Sequence, residues 1–499
     1  MSGFLFNSLR NSSKNYRDKL ALIFNDNEQY SFYEFYTETW KFITYLKKLK
    51  LKKGDIIYLG LGTCIEFCCL LYAANYLGIV VIPISTKLKE EGFKHLVETI
   101  PLHCIFYDEK KLSFIKEQKG TFICIDSTDL KNAIINIKSQ EDINTGSNDN
   151  AVIMFTSGTT SLPKGAVITN QNLEAAIKAY ESTLKLTKDD NTILAVPIFH
   201  ITGLVAILGL FVYLGGTIYL ESRFNAQNVL KLIEKYNITF LHGSPTVFSL
   251  LHSALLNKKG SSSFNSLKSI ACGAGRLNKG TVQALKELFP NAAIHSVYGL
   301  TESTSPFTIY RGDLSLTENC ESSGTVVDGA ELQIRDKEGR VLGKNKVGVI
   351  WIKGPMVVQS YMPVTEENKK LFDNSFLNTG DLGLLDENNQ LIVKDRVKDI
   401  IDRGGEKIFC PEVESIISLF PDVLEVALVP KKDELYGEVP VAVIRTNNNT
   451  KINIEELHRF LSTHLAHFQI PQEFIFTDDF PRTENGKINK RLLKNKINI

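Results

Sequence analysis

The chain has 499 residues, more than one hydrophobic core supports, since single cores stop growing near ~250–300 residues, so two or three domains are expected. Lys plus Arg number 57 and Asp plus Glu 56, which leaves no basic field to attract nucleic acid or an anionic membrane surface. A hydrophobic share of 43% and a charged share of 23% are those of a globular protein and exclude large-scale disorder.

The N-terminal stretch MSGFLFNSLRNSSKNYRDKL lacks the basic start, continuous apolar stretch and small-residue cleavage site of a secretory signal, so a cytoplasmic location is expected. Short apolar runs at Ile56–Leu61 and Val80–Ile84 flank a helix-like Cys64–Leu77, the rhythm of α/β layers. The polar Ser139–Asn150 suits an exposed connection between subdomains, and an apolar strand, Ala151–Phe155, follows it.

The segment Ile193–Leu220 is apolar enough to raise the question of a membrane span, but Pro197, His200 and the Gly215-Gly216 pair interrupt it. A strand ending near Val196, a loop, a buried helix from about Gly203 and a second strand after Gly216 account for the same residues, and no integral membrane segment is expected. A further short strand at Leu391–Lys394 leads into a charged turn, DRVKD, where a domain boundary is expected. The remaining hundred or so residues hold Val423–Val429, Val439–Arg445, a helix-like Ile454–His464 and Phe474–Phe476, enough for a small α+β domain. The fold class is therefore α/β, with a large multi-layer N-terminal domain over 1–394, a junction at 395–398 and a small C-terminal domain over 399–499. No fixed-period repeat is present. The eight cysteines show no paired CxxC spacing, which argues against a zinc site or a disulfide framework and leaves buried reduced thiols as the expectation.

The sharpest local signal is the strand Ala151–Phe155 running into Thr156-Ser-Gly-Thr-Thr-Ser-Leu-Pro-Lys-Gly165. Hydroxyls of Thr156, Ser157, Thr159 and Thr160, the flexible Gly158 and Gly165, and the Lys164 cation together could surround a polyphosphate. A surface turn has the same composition. The lysine precedes the glycine, so the common nucleotide loop G-x-x-x-x-G-K-[ST], and with it a simple ATPase or kinase, is not matched.

TSGTTSLPKG closely resembles the phosphate-binding loop of the adenylate-forming superfamily, which includes acyl-CoA synthetases, adenylation domains of peptide synthetases and luciferases. Ser161 stands where the family usually has glycine. Four further motifs resemble the family's in order, and the resemblance runs from about Leu20 to the C-terminus. In His295-Ser-Val-Tyr-Gly-Leu-Thr-Glu302 it implies that Tyr298 stacks on adenine, Thr301 touches the α-phosphate and Glu302 holds Mg²⁺, a hard cation that takes carboxylate oxygen. In Leu377-Asn-Thr-Gly-Asp381 it implies that Asp381 binds the ribose hydroxyls. In Lys394-Asp-Arg-Val-Lys-Asp399 it implies that Arg396 contacts ribose and Lys398 is the hinge of a mobile small domain. Asp395, where many members have glycine, reads as a neutral exchange. Gly405, in Gly404-Gly-Glu-Lys-Ile408, is implied to line a pantetheine tunnel, and Lys487, in Pro481-Arg-Thr-Glu-Asn-Gly-Lys-Ile488, to be the catalytic lysine.

The resemblance thus implies an ATP-dependent acyl-CoA ligase with Mg²⁺ as cofactor and coenzyme A as cosubstrate. It activates a fatty or aryl carboxylic acid as acyl-AMP. Its implied acid-pocket gate is His200, in Pro197-Ile-Phe-His-Ile-Thr-Gly203; a satisfied buried histidine is the competing reading. Gly243–Val247 and Ala271–Gly275 are implied to form other walls. No aspartate stands in the gate stretch to pair with an amino group, which disfavours amino acids. Two alternatives stay open: loading of a separate carrier-protein phosphopantetheine, and a non-catalytic nucleotide-binding relative.

Overall fold

The computed structural model describes residues 3–117, 122–135, 137–138, 150–156, 164–256, 264–275, 277, 279–446, 452–482 and 488–497. The strands Ile56–Gly60 and Val80–Pro83 are buried along their whole length, as parallel strands covered on both faces must be. Between them the helix Ile65–Leu77 is apolar apart from Glu66 and Asn75 and lies in the core. It ends at Gly78, whose φ of 70° is the left-handed cap that glycine supplies without strain.

Two large sheets build the N-terminal domain. One has seven strands in the order Tyr361–Met362, Lys164–Thr169, Asn150–Thr156, Val80–Pro83, Ile56–Gly60, Cys104–Tyr107, Ile123–Asp126. The other has nine, in the order Thr325–Val326, Thr308–Ile309, Ala293–Tyr298, Ser269–Gly273, Phe240–Gly243, Asn191–Leu194, Thr217–Leu220, Leu20–Phe24, Glu28–Ser31. Its strands from Ala293–Tyr298 to Leu20–Phe24 run parallel. The apolar segment before residue 220 resolves into the strand Asn191–Leu194, a π-helix Thr202–Gly209 continuing as the α-helix Leu210–Leu214, and the strand Thr217–Leu220. Among the described residues no helix is long and apolar enough to cross a membrane.

A third sheet of five strands carries Phe376–Leu385, with Leu391–Arg396 paired to it. The expected turn at DRVKD therefore starts later than its charge pattern indicates. Asp395 and Arg396 are still in the strand, opposite Leu382 and Asp381, and the chain turns only at 397–399. An ion pair between Arg396 and Asp381 across the ladder holds these charged residues in extended register. The chain beyond 400 forms a fourth sheet from Glu406–Ile408, Ile401–Arg403, Gly437–Thr446, Val423–Asp433 and Glu473–Phe476. The helices Cys410–Ile417 and Ile454–His464 pack on it around a separate core that includes Ile401, Val413, Leu428, Ile444 and Leu461. A core of its own is what a small domain requires. All eight cysteines are free; seven are buried or half-buried, whereas Cys124 is exposed, contrary to the expectation for it.

Candidate active site

The parallel strands Phe240–Gly243, Ser269–Gly273 and Ala293–Tyr298 lie side by side and end at Gly243, Gly273 and Tyr298. In open α/β sheets the carboxyl ends of the strands form the crevice where ligands bind. Beyond Tyr298 the chain passes Gly299 into a single 3₁₀ turn, Thr301–Ser303, so Thr301 and Glu302 stand at the rim of that crevice.

The third sheet brings its own groups to the same place. Asp381 is 4% exposed, and its carboxylate accepts from the Tyr298 hydroxyl at 2.8 Å and from Arg396 Nε at 3.0 Å. Burial, with Asp381 beside it, holds the Tyr298 phenol well above its ordinary range. Burial alone lowers the Arg396 guanidinium, but the charges of Asp381, Asp399, Tyr298 and Glu302 outweigh it and raise the group. Tyr298 and Arg396 thus hold the Asp381 carboxylate from two sides, one neutral donor and one charged. An acceptor carboxylate set between an aromatic ring and a cation is a group that a vicinal diol can address.

Glu302 Oε1 accepts from the Tyr361 hydroxyl at 3.0 Å, and the Lys164 ammonium sits over the Tyr361 ring at 4.1 Å from its centroid. Lys164 stands at the start of Lys164–Thr169, paired with the Asn150–Thr156 strand so that Thr156 and Lys164 are opposite each other. Desolvation lowers the Lys164 pKa, the Glu302 charge opposes this and Arg396 adds to it, so the three groups share one field. Tyr361, on the edge strand Tyr361–Met362, is the residue that sequence reasoning missed. It carries no motif, and only the pairing of its strand with Lys164–Thr169 brings it between Glu302 and Lys164. Among the described residues no cluster of three or more His, Cys, Asp or Glu forms a metal cage. The Glu302 carboxylate at the rim fits Mg²⁺, which is held by one or two carboxylates together with substrate phosphates.

Gly405 lies at the tip of the hairpin joining Ile401–Arg403 to Glu406–Ile408. Its φ of 97° demands glycine, and a side chain added there meets nothing within 4 Å. Lys398 is exposed on the turn after Arg396. Asp395, read from the sequence as a neutral exchange, ties the two domains: it accepts from the Cys410 backbone N–H, at the start of the helix Cys410–Ile417, at 2.8 Å. The adjacent Lys394 pairs with Glu412 at 2.7 Å. Burial pushes the Asp395 carboxyl up to about 6.

His200 is half-buried, beside the Phe199 ring, and its carbonyl accepts from Leu204 N at 2.8 Å as the π-helix begins. Gly203 is forced to be glycine, because a Cβ there would lie 2.4 Å from the Pro197 carbonyl oxygen. Ser157, Gly158, Thr159, Thr160, Ser161 and Lys487 lie outside the described residues, as does the side chain of Thr156.

A parallel-stranded α/β domain with these groups at its strand ends, followed by a small domain with its own sheet, is the architecture of an adenylate-forming enzyme. Residues 9–362 match the family model described as AMP-binding enzyme, and residues 412–487 match that of the AMP-binding enzyme C-terminal domain. The chain belongs to the AMP-binding enzyme family. It is 30% identical over 485 residues to the 2-succinylbenzoate–CoA ligase of Bacillus pumilus (strain SAFR-032), covering 96% of this chain and 95% of that protein. It is 28% identical to a 4-coumarate–CoA ligase of Humulus lupulus, covering 91% of this chain and 86% of that protein. The o-succinylbenzoate CoA synthetase of Bacillus subtilis, solved with the acyl-adenylate intermediate OSB-AMP, superposes with a TM-score of 0.86 at 28% identity, covering 98% of both chains. The same enzyme solved with ATP and a magnesium ion gives 0.86 at 27% identity, covering 98% of this chain and 99% of that one.

Proposed function

We propose that the protein is an AMP-forming acyl-CoA ligase. It joins a fatty or aryl carboxylic acid to AMP with release of pyrophosphate, then passes the acyl group to the thiol of coenzyme A in the cytoplasm. The observation that carries this reading is the Asp381 carboxylate held between Tyr298 and Arg396, beside Glu302 and Lys164 at the ends of the parallel strands.

In the first half-reaction a carboxylate oxygen of the acid forms a bond to the α-phosphorus of ATP, and the bond to the β-phosphate oxygen breaks. Pyrophosphate leaves with that electron pair. Asp381 and Arg396 fix the ribose, Tyr298 offers its ring to adenine, and Thr301 lies beside the α-phosphate. The loop Thr156–Gly165 and Lys164 hold the β- and γ-phosphates. Lys487 stabilises the charge that develops on the pentacoordinate phosphorus, an electrostatic role without a covalent step. Glu302 would hold Mg²⁺, which would neutralise charge on the phosphates. In the second half-reaction the thiol sulfur bonds to the acyl carbon, its proton is released, and AMP departs with the C–O bond pair. Gly405 lines the approach of the thiol, and rotation about Lys398 exchanges Lys487 for Gly405.

Pyrophosphate release with ATP, Mg²⁺ and a broad acid library tests the first half. Product masses with coenzyme A or with a phosphopantetheinylated carrier protein test the second. The expected product is an acyl-CoA; acyl transfer to the carrier alone would assign the carrier as acceptor, and ATP binding without pyrophosphate from any acid would mark a non-catalytic relative.

A further inference from the structure

The strand Phe240–Gly243 delivers one polar side chain into the core just before its glycine. His242 is 2% exposed, and its Nε2 lies 3.1 Å from the hydroxyl of Tyr180, on the helix Asn170–Leu184. The same hydroxyl lies 2.8 Å from Oγ of Ser305, which follows the Thr301–Ser303 turn with a positive φ of 53°. Tyr180 and Ser305 are buried as well. A buried polar chain therefore runs from the crevice rim, three residues past Glu302, to the seam between Phe240–Gly243 and Ser269–Gly273.

His242 sits where the two expected acid walls meet. It immediately precedes Gly243, and a Cβ placed on Gly273 would lie 3.6 Å from its Cε1. Gly273 has to be glycine in any case, because that Cβ would also lie 2.9 Å from the Val297 carbonyl oxygen. Burial holds the imidazole neutral, with its pKa pushed down to about 3. A neutral ring carries one proton. A phenol is a stronger donor than acceptor and imidazole nitrogen a stronger acceptor than a serine hydroxyl, which assigns Tyr180 as donor to Nε2 and the ring proton to Nδ1. Among the described residues Nδ1 is buried with no hydrogen-bond partner. A buried donor without a protein partner is costly until a ligand or water satisfies it.

We infer that His242 is a specificity-determining residue, whose Nδ1–H receives a carbonyl oxygen on the tail of the acid, so that the acids activated best are oxo or aroyl acids. Ser305 and Tyr180 are positioning residues that fix the tautomer. The inference rests on the acyl-CoA ligase reading and on the acid lying between the Gly243–Val247 and Ala271–Gly275 walls.

Matched acids differing by one carbonyl oxygen test it through pyrophosphate release. Suitable pairs are 4-phenyl-4-oxobutanoate with 4-phenylbutanoate, 5-oxohexanoate with hexanoate, and 4-oxopentanoate with pentanoate. The readout is the kcat/KM ratio within each pair, since a general structural loss lowers both members alike. In the wild-type enzyme at least one pair is expected to favour the oxo acid about tenfold, the worth of a hydrogen bond to an otherwise unpaired donor. His242→Leu brings that ratio to about one, and His242→Asn, whose amide N–H stands near the Nδ1 position, retains most of it. Tyr180→Phe lowers it by releasing the tautomer, which keeps the inference testable if His242→Leu does not fold. Release with the plain acids and no gain from the carbonyl in any pair overturns the inference and leaves the ligase reading standing. So does a ratio unchanged in both His242→Leu and Tyr180→Phe. No pyrophosphate from any acid, plain or oxo, removes the ligase reading and the inference together.

Discussion

The two domains present their functional groups in opposite ways. On the large domain Tyr298, Asp381 and Arg396 are locked to one another at 2.8 and 3.0 Å, on strands from two different sheets. On the small domain Gly405 stands at an exposed hairpin tip with open space around it. A nucleotide site gains from rigid, preorganised donors and acceptors, because charge develops there in the transition state. In the proposed reaction the thiol channel is assembled and dismantled once per turnover, which suits an exposed tip with room around it.

Breaking either side separates the half-reactions. The largest effect is expected for Lys487→Ala. It lowers pyrophosphate exchange by roughly 10²–10³-fold and leaves thioester formation from supplied acyl-adenylate near the wild-type rate; equal loss in both assays would contradict the division. Asp381→Asn follows: it removes the charge that orders Tyr298 and Arg396 and lowers kcat/KM for ATP by about 10²-fold, read by initial rates against ATP concentration. Gly405→Leu forces a side chain onto a φ of 97°. It is expected to slow acyl transfer to coenzyme A by roughly tenfold or more while leaving pyrophosphate exchange intact, as single-turnover thioester formation reports.

The smallest effect concerns the strut between the domains. Burial raises Asp395 to about 6 in the native state, above its unfolded value. This group favours the native state most below the unfolded carboxylate pKa, near ~4, and that contribution is lost as pH rises through about 6. Asp395→Asn does not ionise, so relative to wild type it gains about 2 kcal/mol between pH 4 and pH 7. Calorimetry across that range measures the shift; a difference independent of pH would show that Asp395 is not desolvated at the junction.

Much of this arrangement is legible in the sequence, because it is encoded locally. The helix Ile65–Leu77, the strands around it and the small-domain elements follow from apolar runs bounded by glycine and polar turns. The site motifs are short and contiguous. What the sequence hides is set by contacts between elements far apart in the chain. Tyr361 reaches Glu302 across 59 positions, and His242 reaches Tyr180 across 62. No local periodicity marks either pair. Asp395 was misread for the same reason: the helix end it caps begins 15 residues later, in another domain. The π-helix at Thr202–Gly209 is equally hidden, since its all-apolar sequence is equally compatible with an ordinary buried helix.

In the proposed reaction the acid's own carboxylate oxygen attacks the α-phosphorus of ATP. Turnover of a carboxyl-¹⁸O-labelled acid with ATP, Mg²⁺ and coenzyme A, followed by mass analysis of the nucleotide product, tests it directly. The expected nucleotide product is AMP carrying one ¹⁸O atom, together with unlabelled pyrophosphate. Unlabelled AMP, or label in inorganic phosphate accompanied by ADP, would contradict it.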